Sequence, residues 1–198
     1  MKRLFIAINL PQNIKEAIEE IINNLPILPK ENWHLTISFL GYQPDEKIPN
    51  ILESVKITTQ SLVSLKRPIL VEFEKIILAP ANRPARMIWL VGSKETSKIL
   101  GAIKTKLEDE LVKNGVRFQR DNREYNTHLT LARFSPTQIN AAIKQIDTDI
   151  ISVNQRIHQR KSALSFQAQS LDLMESYLKR TGAEYEILTR VDFIQEIY

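Results

Sequence analysis

Two of the three histidines in this chain stand in the same frame, His34-Leu35-Thr36-Ile37 and His128-Leu129-Thr130-Leu131. An imidazole titrates near neutral pH and can take or give a proton. A threonine hydroxyl can donate a hydrogen bond to an anionic oxygen. Two such pairs brought together supply a general base, a general acid and two donors for developing negative charge. A phosphodiester calls for those parts. One with an internal leaving group, such as a strained cyclic phosphate, needs no metal besides.

Chance explains the repeat poorly. Eleven of 198 residues are threonine. Two of three histidines would then have Thr two places on in roughly one sequence in a hundred, before the matching apolar residues count. His158 has no such partner and reads as an ordinary polar side chain. A lone strand histidine would deserve the same reading.

The elements that must hold these side chains are strands. Trp33, Leu35, Ile37 and Phe39 alternate with His34, Thr36 and Ser38. A period of two puts the apolar set on one face and the polar set on the other. Imidazole and hydroxyl then lie roughly 6–7 Å apart along each strand. Strict alternation sends Phe39 to the core, where it cannot stack on a base. It also puts Arg133 on the face opposite His128.

Around them, 4–8 reads as a short buried strand and Pro11 as the start of a helix with Ile14, Ile18, Ile21, Ile22 and Leu25 inside. Pro26 and Pro29 end that helix. Ile48, Ile51, Leu52, Val55 and Leu62 form a second helical stripe, followed by an extended run at 69–78, a loop at 80–84 and a strand at 87–91. Ser93 caps a third helix with Ile99, Ile103, Leu107 and Leu111 on its buried face and Gly115 at its end. Ser135-Pro136-Thr137-Gln138 opens a fourth, with Ile139, Ile143 and Ile146 as its stripe. The polar, basic run 152–162 reads as a loop or edge, and 166–175 and 185–191 as a final strand pair. Several strands are joined too closely for parallel crossovers. The expected fold is therefore α+β and antiparallel-rich, with two lobes related by a weak internal duplication, each around one His-x-Thr.

Length and composition suit one domain over 1–198. A net charge of +4 permits a phosphate-bearing partner without demanding one. No cysteine is present, which removes disulfides and thiolate metal sites and fits a cytoplasmic setting. The apolar run after Met1-Lys2-Arg3 stops at Asn9, too short for a secretory signal, and no stretch is long enough to span a membrane. His-x-Thr lacks a second strong ligand, and five glycines leave no phosphate-cradling loop, so neither a metal nor another cofactor is expected. Arg117, Arg120 and Arg123 are diluted by Asp121 and Glu124 and read as a solvated segment.

With these residues in view, the chain resembles the 2H phosphoesterases, and within them the RNA 2′,3′-cyclic phosphodiesterases, also described as 2′–5′ RNA ligases. The resemblance runs from 3–11 through the two motifs, the stretch 84–91 with Arg86 and Trp89, and the closing stretches 173–176 and 182–185. It implies a bilobal fold of two pseudo-symmetric sheets facing a cleft, with helices outside. His128 would act as general base on water and His34 as general acid for the leaving 3′ oxygen. Thr36 and Thr130 would bind phosphate, and Arg133 matches the arginine that ends the family motif. Members often have Pro before the second histidine where this chain has Thr127. The residues themselves do not say which imidazole is acid and which is base. The resemblance implies RNA ends or nucleotides bearing a 2′,3′-cyclic phosphate as partners, with no obligatory protein partner. The competing readings are 2′–5′ ligation by the same cleft in reverse, a small cyclic phosphate as substrate, and a non-catalytic module binding RNA ends or nucleotides.

Overall fold

The computed structural model describes residues 1–22, 25, 27–63, 68–80, 84–179 and 182–193; the side chains of 63 and 136–145 lie outside that description. Pro26, most of the expected loop at 80–84 and the stripe residues Ile139 and Ile143 therefore fall outside it. The described residues form eight strands and four α-helices. In chain order these are β1 (Lys2–Asn9), α1 (Gln12–Ile21), β2 (His34–Gln43), α2 (Ile48–Val63), β3 (Leu70–Ala79), β4 (Met87–Gly92), α3 (Lys94–Lys113), β5 (His128–Arg133), α4 (Pro136–Gln159), β6 (Ser165–Gln167), β7 (Ser170–Lys179) and β8 (Gly182–Asp192).

The strands run in the spatial order β6-β3-β4-β5-β2-β1-β7-β8, every neighbouring pair antiparallel. Two four-stranded halves meet at the centre, where β2 and β5 are joined by the pair Leu35↔Leu129. In each half a strand, a helix and a motif strand recur: β1-α1-β2 and β4-α3-β5. That is the duplication expected from the two motifs.

One face of the sheet carries the main core. Ile6, Ile8, Leu35, Ile37, Leu90, Leu129, Leu131 and Leu173 are all at most 1 % exposed there. Helices close that face. Ser38 on β2 donates from Oγ to Glu108 Oε1 of α3 at 2.9 Å. The Asn154 amide of α4 bonds both backbone groups of Ile76 in β3, at 2.7 and 3.0 Å. Ser93 is the α3 N-cap, its side chain accepting from the Thr96 N–H, and Gly115 follows that helix with φ near 69°.

Two expectations change. The run 152–162 is mostly helix, since α4 continues to Gln159. Ile146, Val153 and Ile157 are each at most 3 % exposed, which extends one stripe at helical spacing beneath a polar, basic outer face. The stretch 166–175 is two strands. β6 pairs with β3 in one half, and after 168–169 the chain crosses to pair β7 with β1 in the other. Among the described residues no helix is long and apolar enough to cross a membrane.

Candidate active site

The junction of the two halves sets the geometry. Since Leu35 opposes Leu129 in an antiparallel pair, His34 lies abreast of Thr130 and Thr36 abreast of His128. Both leucines point into the core. The four polar side chains therefore stand together on the opposite face, with the two histidines on a diagonal of about 7–8 Å. A phosphate fits between them.

Each imidazole is held the same way. His34 Nδ1–H donates to the carbonyl of Asn32 and His128 Nδ1–H to that of Asn126, both at 2.8 Å. That tautomer leaves Nε2 as the acceptor in each ring. The repeat is thus Asn-x-His-Leu-Thr in both copies, a match that the shorter four-residue frame overlooks.

Their surroundings differ. The His34 ring lies 4.9 Å from Phe5 and 4.7 Å from Tyr185, which meets it edge-on. The His128 ring stacks on Trp89 at 4.1 Å and 28°. Burial pushes the His34 imidazole down to about 4, and the positive charge of Arg133 acts in the same direction. Burial also lowers His128, again with Arg133 contributing. Both rings are therefore neutral at pH 7 in the free protein.

Arg133 is close enough to act on both histidines, contrary to strict alternation. Trp89 pairs with Thr130 but Ile88 with Ala132, so Leu131 is an extra residue and β5 bulges there. Beyond the bulge the faces exchange and Arg133 joins His128 and Thr130. The same device acts in β2. Ala7 pairs with Thr36 and Ile6 with Ser38, which leaves Ile37 extra. Phe39 consequently lies outside the core, 66 % exposed on the His34 face, with its ring 6.1 Å from Phe5. Phe39 and Arg133 occupy equivalent positions, five residues after their histidines.

The bends leave backbone groups to satisfy where the halves part. The Tyr125 hydroxyl donates to the Thr36 carbonyl at 2.8 Å, and the Leu28 N–H to the Leu131 carbonyl at 2.6 Å. Burial raises the Tyr125 phenol and keeps it a donor. Thr127, just before the second motif histidine, gives its N–H to Ser97 Oγ at 3.1 Å, a bond that Pro in its place could not make. A Cβ on Gly92 would lie 2.8 Å from the Thr127 side chain, so this approach needs glycine.

The His34 half adds a small apolar cluster on the cleft face, Phe5, Ala7 and Met174 with Tyr185 against it. The His128 half adds an open groove of about 1140 Å³ past Trp89, Val91 and Tyr125. Arg120 and Arg123, on that groove, are paired with Asp109 and Asp121, in keeping with a solvated segment. His158 lies on the exposed side of α4, away from the site.

Comparison with known proteins agrees with this picture. Residues 6–193 match the model of the AKAP7 2′5′ RNA ligase-like domain. A protein of Methanocaldococcus jannaschii named RNA 2′,3′-cyclic phosphodiesterase is 29% identical over 193 residues, 94% of this chain and 98% of that one. A crystal structure from Thermus thermophilus shares the fold with a TM-score of 0.69 at 20% identity, covering 98% of this chain and all of that chain (100%). So does Escherichia coli LigT complexed with 3′-AMP, at 0.65 and 20% identity over 98% of both chains.

Proposed function

The chain belongs to the AKAP7 2′5′ RNA ligase-like family, within the 2H phosphoesterases, and from that premise we propose that it hydrolyses RNA 2′,3′-cyclic phosphate ends to 2′-phosphate ends. The observation that carries this reading is the pairing of His34 with Thr130 and of His128 with Thr36 across the central junction. The name of the M. jannaschii relative supports the substrate class, and the 3′-AMP complex of LigT supports a nucleotide in the cleft.

In the mechanism, His128 Nε2 takes a proton from water as its oxygen attacks phosphorus in line with O3′. The P–O3′ bond breaks, and His34 gives a proton to O3′. A 2′-phosphomonoester and a free 3′-hydroxyl result. Thr36 and Thr130 donate to the non-bridging oxygens, and Arg133 offsets the charge that builds on them. The apolar cluster of Phe5, Met174 and Tyr185 offers the attached nucleoside a surface beside His34.

No step calls on a metal or other cofactor. The active unit is one chain acting as a single domain over 1–198, because the two halves supply one histidine each and the β6-to-β7 crossing binds them together. A cytoplasmic setting accords with the absence of cysteine.

The test is turnover, with EDTA present, of a short RNA ending in a 2′,3′-cyclic phosphate, with identification of the product. The expected product carries a 2′-phosphate, and His34→Ala and His128→Ala each lose about 10²–10⁴-fold in rate. Near-wild-type rates in both variants would overturn the mechanism.

A further inference from the structure

On the cleft face, the cross-strand row that starts at Thr36 continues through Ala7 and Asp172 to Arg190. Asp172 is fully buried (0 % exposed), although it faces the cleft rather than the core. Its carboxylate already has two close donors, Asn9 Nδ2 at 2.6 Å and Ser170 Oγ at 2.7 Å. Arg190 Nε adds a third, longer contact at 3.4 Å.

Two neutral donors thus hold the Asp172 carboxylate in place, and Arg190 adds the paired positive charge. Asp172 tethers the guanidinium at Nε by a long contact, while 55 % of the Arg190 side chain stays exposed. A guanidinium held near a carboxylate at one nitrogen keeps its other N–H donors, a planar fork that matches phosphate oxygens, free for an anion. Three strand spacings of about 4.8 Å separate its backbone from Thr36, and the curl of the sheet shortens the path across the cleft. This exceeds the reach of the phosphate held between the histidines and suits a neighbouring one. The apolar cluster of Phe5, Ala7 and Met174 lies on the same face, in position to take the intervening nucleoside.

We propose that Arg190, tethered to an Asp172 that Asn9 and Ser170 hold in place, binds the phosphodiester adjacent to the reacting one, so that the site is built for an RNA chain rather than a mononucleotide. This rests on the reading of the site as an RNA-end phosphodiesterase. Arg190 is a specificity-determining contact and takes no part in proton transfer.

The experiment compares two substrates, adenosine 2′,3′-cyclic phosphate and the dinucleotide ApA with a terminal 2′,3′-cyclic phosphate. In Arg190→Gln the ratio of dinucleotide to mononucleoside kcat/KM is expected to fall about tenfold, and Arg190→Lys to recover part of it. The salt dependence of log kcat/KM for the dinucleotide should flatten by about 0.7, one phosphate contact on a single strand. An unchanged ratio, or equal losses on both substrates, would overturn the proposal, since equal losses mean that Arg190 only supports Asp172. Should wild type turn over neither substrate, the proposed activity fails, and the anion contact is read by binding instead. The dissociation constant of an RNA trinucleotide ending in a 2′-phosphate should then rise about tenfold in Arg190→Gln, and an unchanged constant would refute the contact.

Discussion

His34 must carry a proton to act as the general acid, yet the free protein denies it one. With its imidazole pushed down to about 4 by burial, about one molecule in a thousand is protonated there at pH 7. A bound phosphate changes this. One negative charge about 4 Å from the ring contributes about 4 kcal/mol at an effective dielectric of 20. At 1.36 kcal/mol per pK unit, that is about 3 units. The anion also offsets the opposing charge of Arg133. His34 is thus expected to titrate near 4 in the free protein and near 7 with the anion bound.

Imidazole NMR titration measures both states. Sulfate, which keeps its charge across the range, and adenosine 2′-monophosphate serve as ligands, with His128→Gln and His158→Gln used to assign the signals. Tyr185→Ala gives a further arm. It removes the ring 4.7 Å from His34 and should raise the free value by a unit or more as water reaches the imidazole. If His34 titrates near 6.5 in the free protein, or a bound anion fails to raise it, the proton-delivery argument is wrong.

Two further outcomes are expected. The depressed His34 value ties stability to pH: the imidazole is neutral when folded and protonates readily when unfolded. Its contribution is therefore present above about 6.5 and lost as pH falls toward about 4, at most about 3 kcal/mol. Urea midpoints from pH 7 to 4.5 should fall more steeply in wild type than in His34→Gln, and parallel slopes would refute the assignment. Ile157→Ala should cost about 2–5 kcal/mol in the same assay because Ile157 is 1 % exposed; a cost under about 0.5 kcal/mol would mean that 152–159 does not pack as a helix.

Period-two alternation locates the two histidines and two threonines because both motif strands are regular at that point. It fails for Phe39 and Arg133 because one extra residue in each strand exchanges the faces. A bulge depends on how two strands are paired, and neither strand carries that pairing alone. The shared trace is a small residue four places after each histidine, Ser38 and Ala132. The tail of α4 was obscured for a different reason. Its outer face is so polar that Val153 and Ile157 stand out only when the stripe is followed onward from Ile146. Asn32 and Asn126 work through backbone carbonyls, so side-chain chemistry does not single them out, although their repetition was visible. Trp89, Tyr185 and Asp172 come from distant strands and depend on the sheet order.

The duplication makes two equivalent His-Thr pairs, so a division of labour between the imidazoles must come from what surrounds them. The positions five residues on already differ: Arg133 in one half, Phe39 in the other. An anion entering the cleft meets positive charge on one side and apolar surface on the other. A general base works best when neutral before substrate arrives, and the Trp89-stacked His128, lowered by burial, meets that need. A general acid need hold its proton only while the phosphate is present. His34, enclosed by Phe5 and Tyr185, becomes protonated only when the anion repays the cost of charging a buried ring. Once the phosphate leaves, the same burial returns His34 to the neutral form. The same anion favours charge on His128 as well, but repulsion between two imidazolium rings limits the pair to one proton, so the cleft takes up its acid's proton together with its substrate, and the proposed step requires that proton on His34.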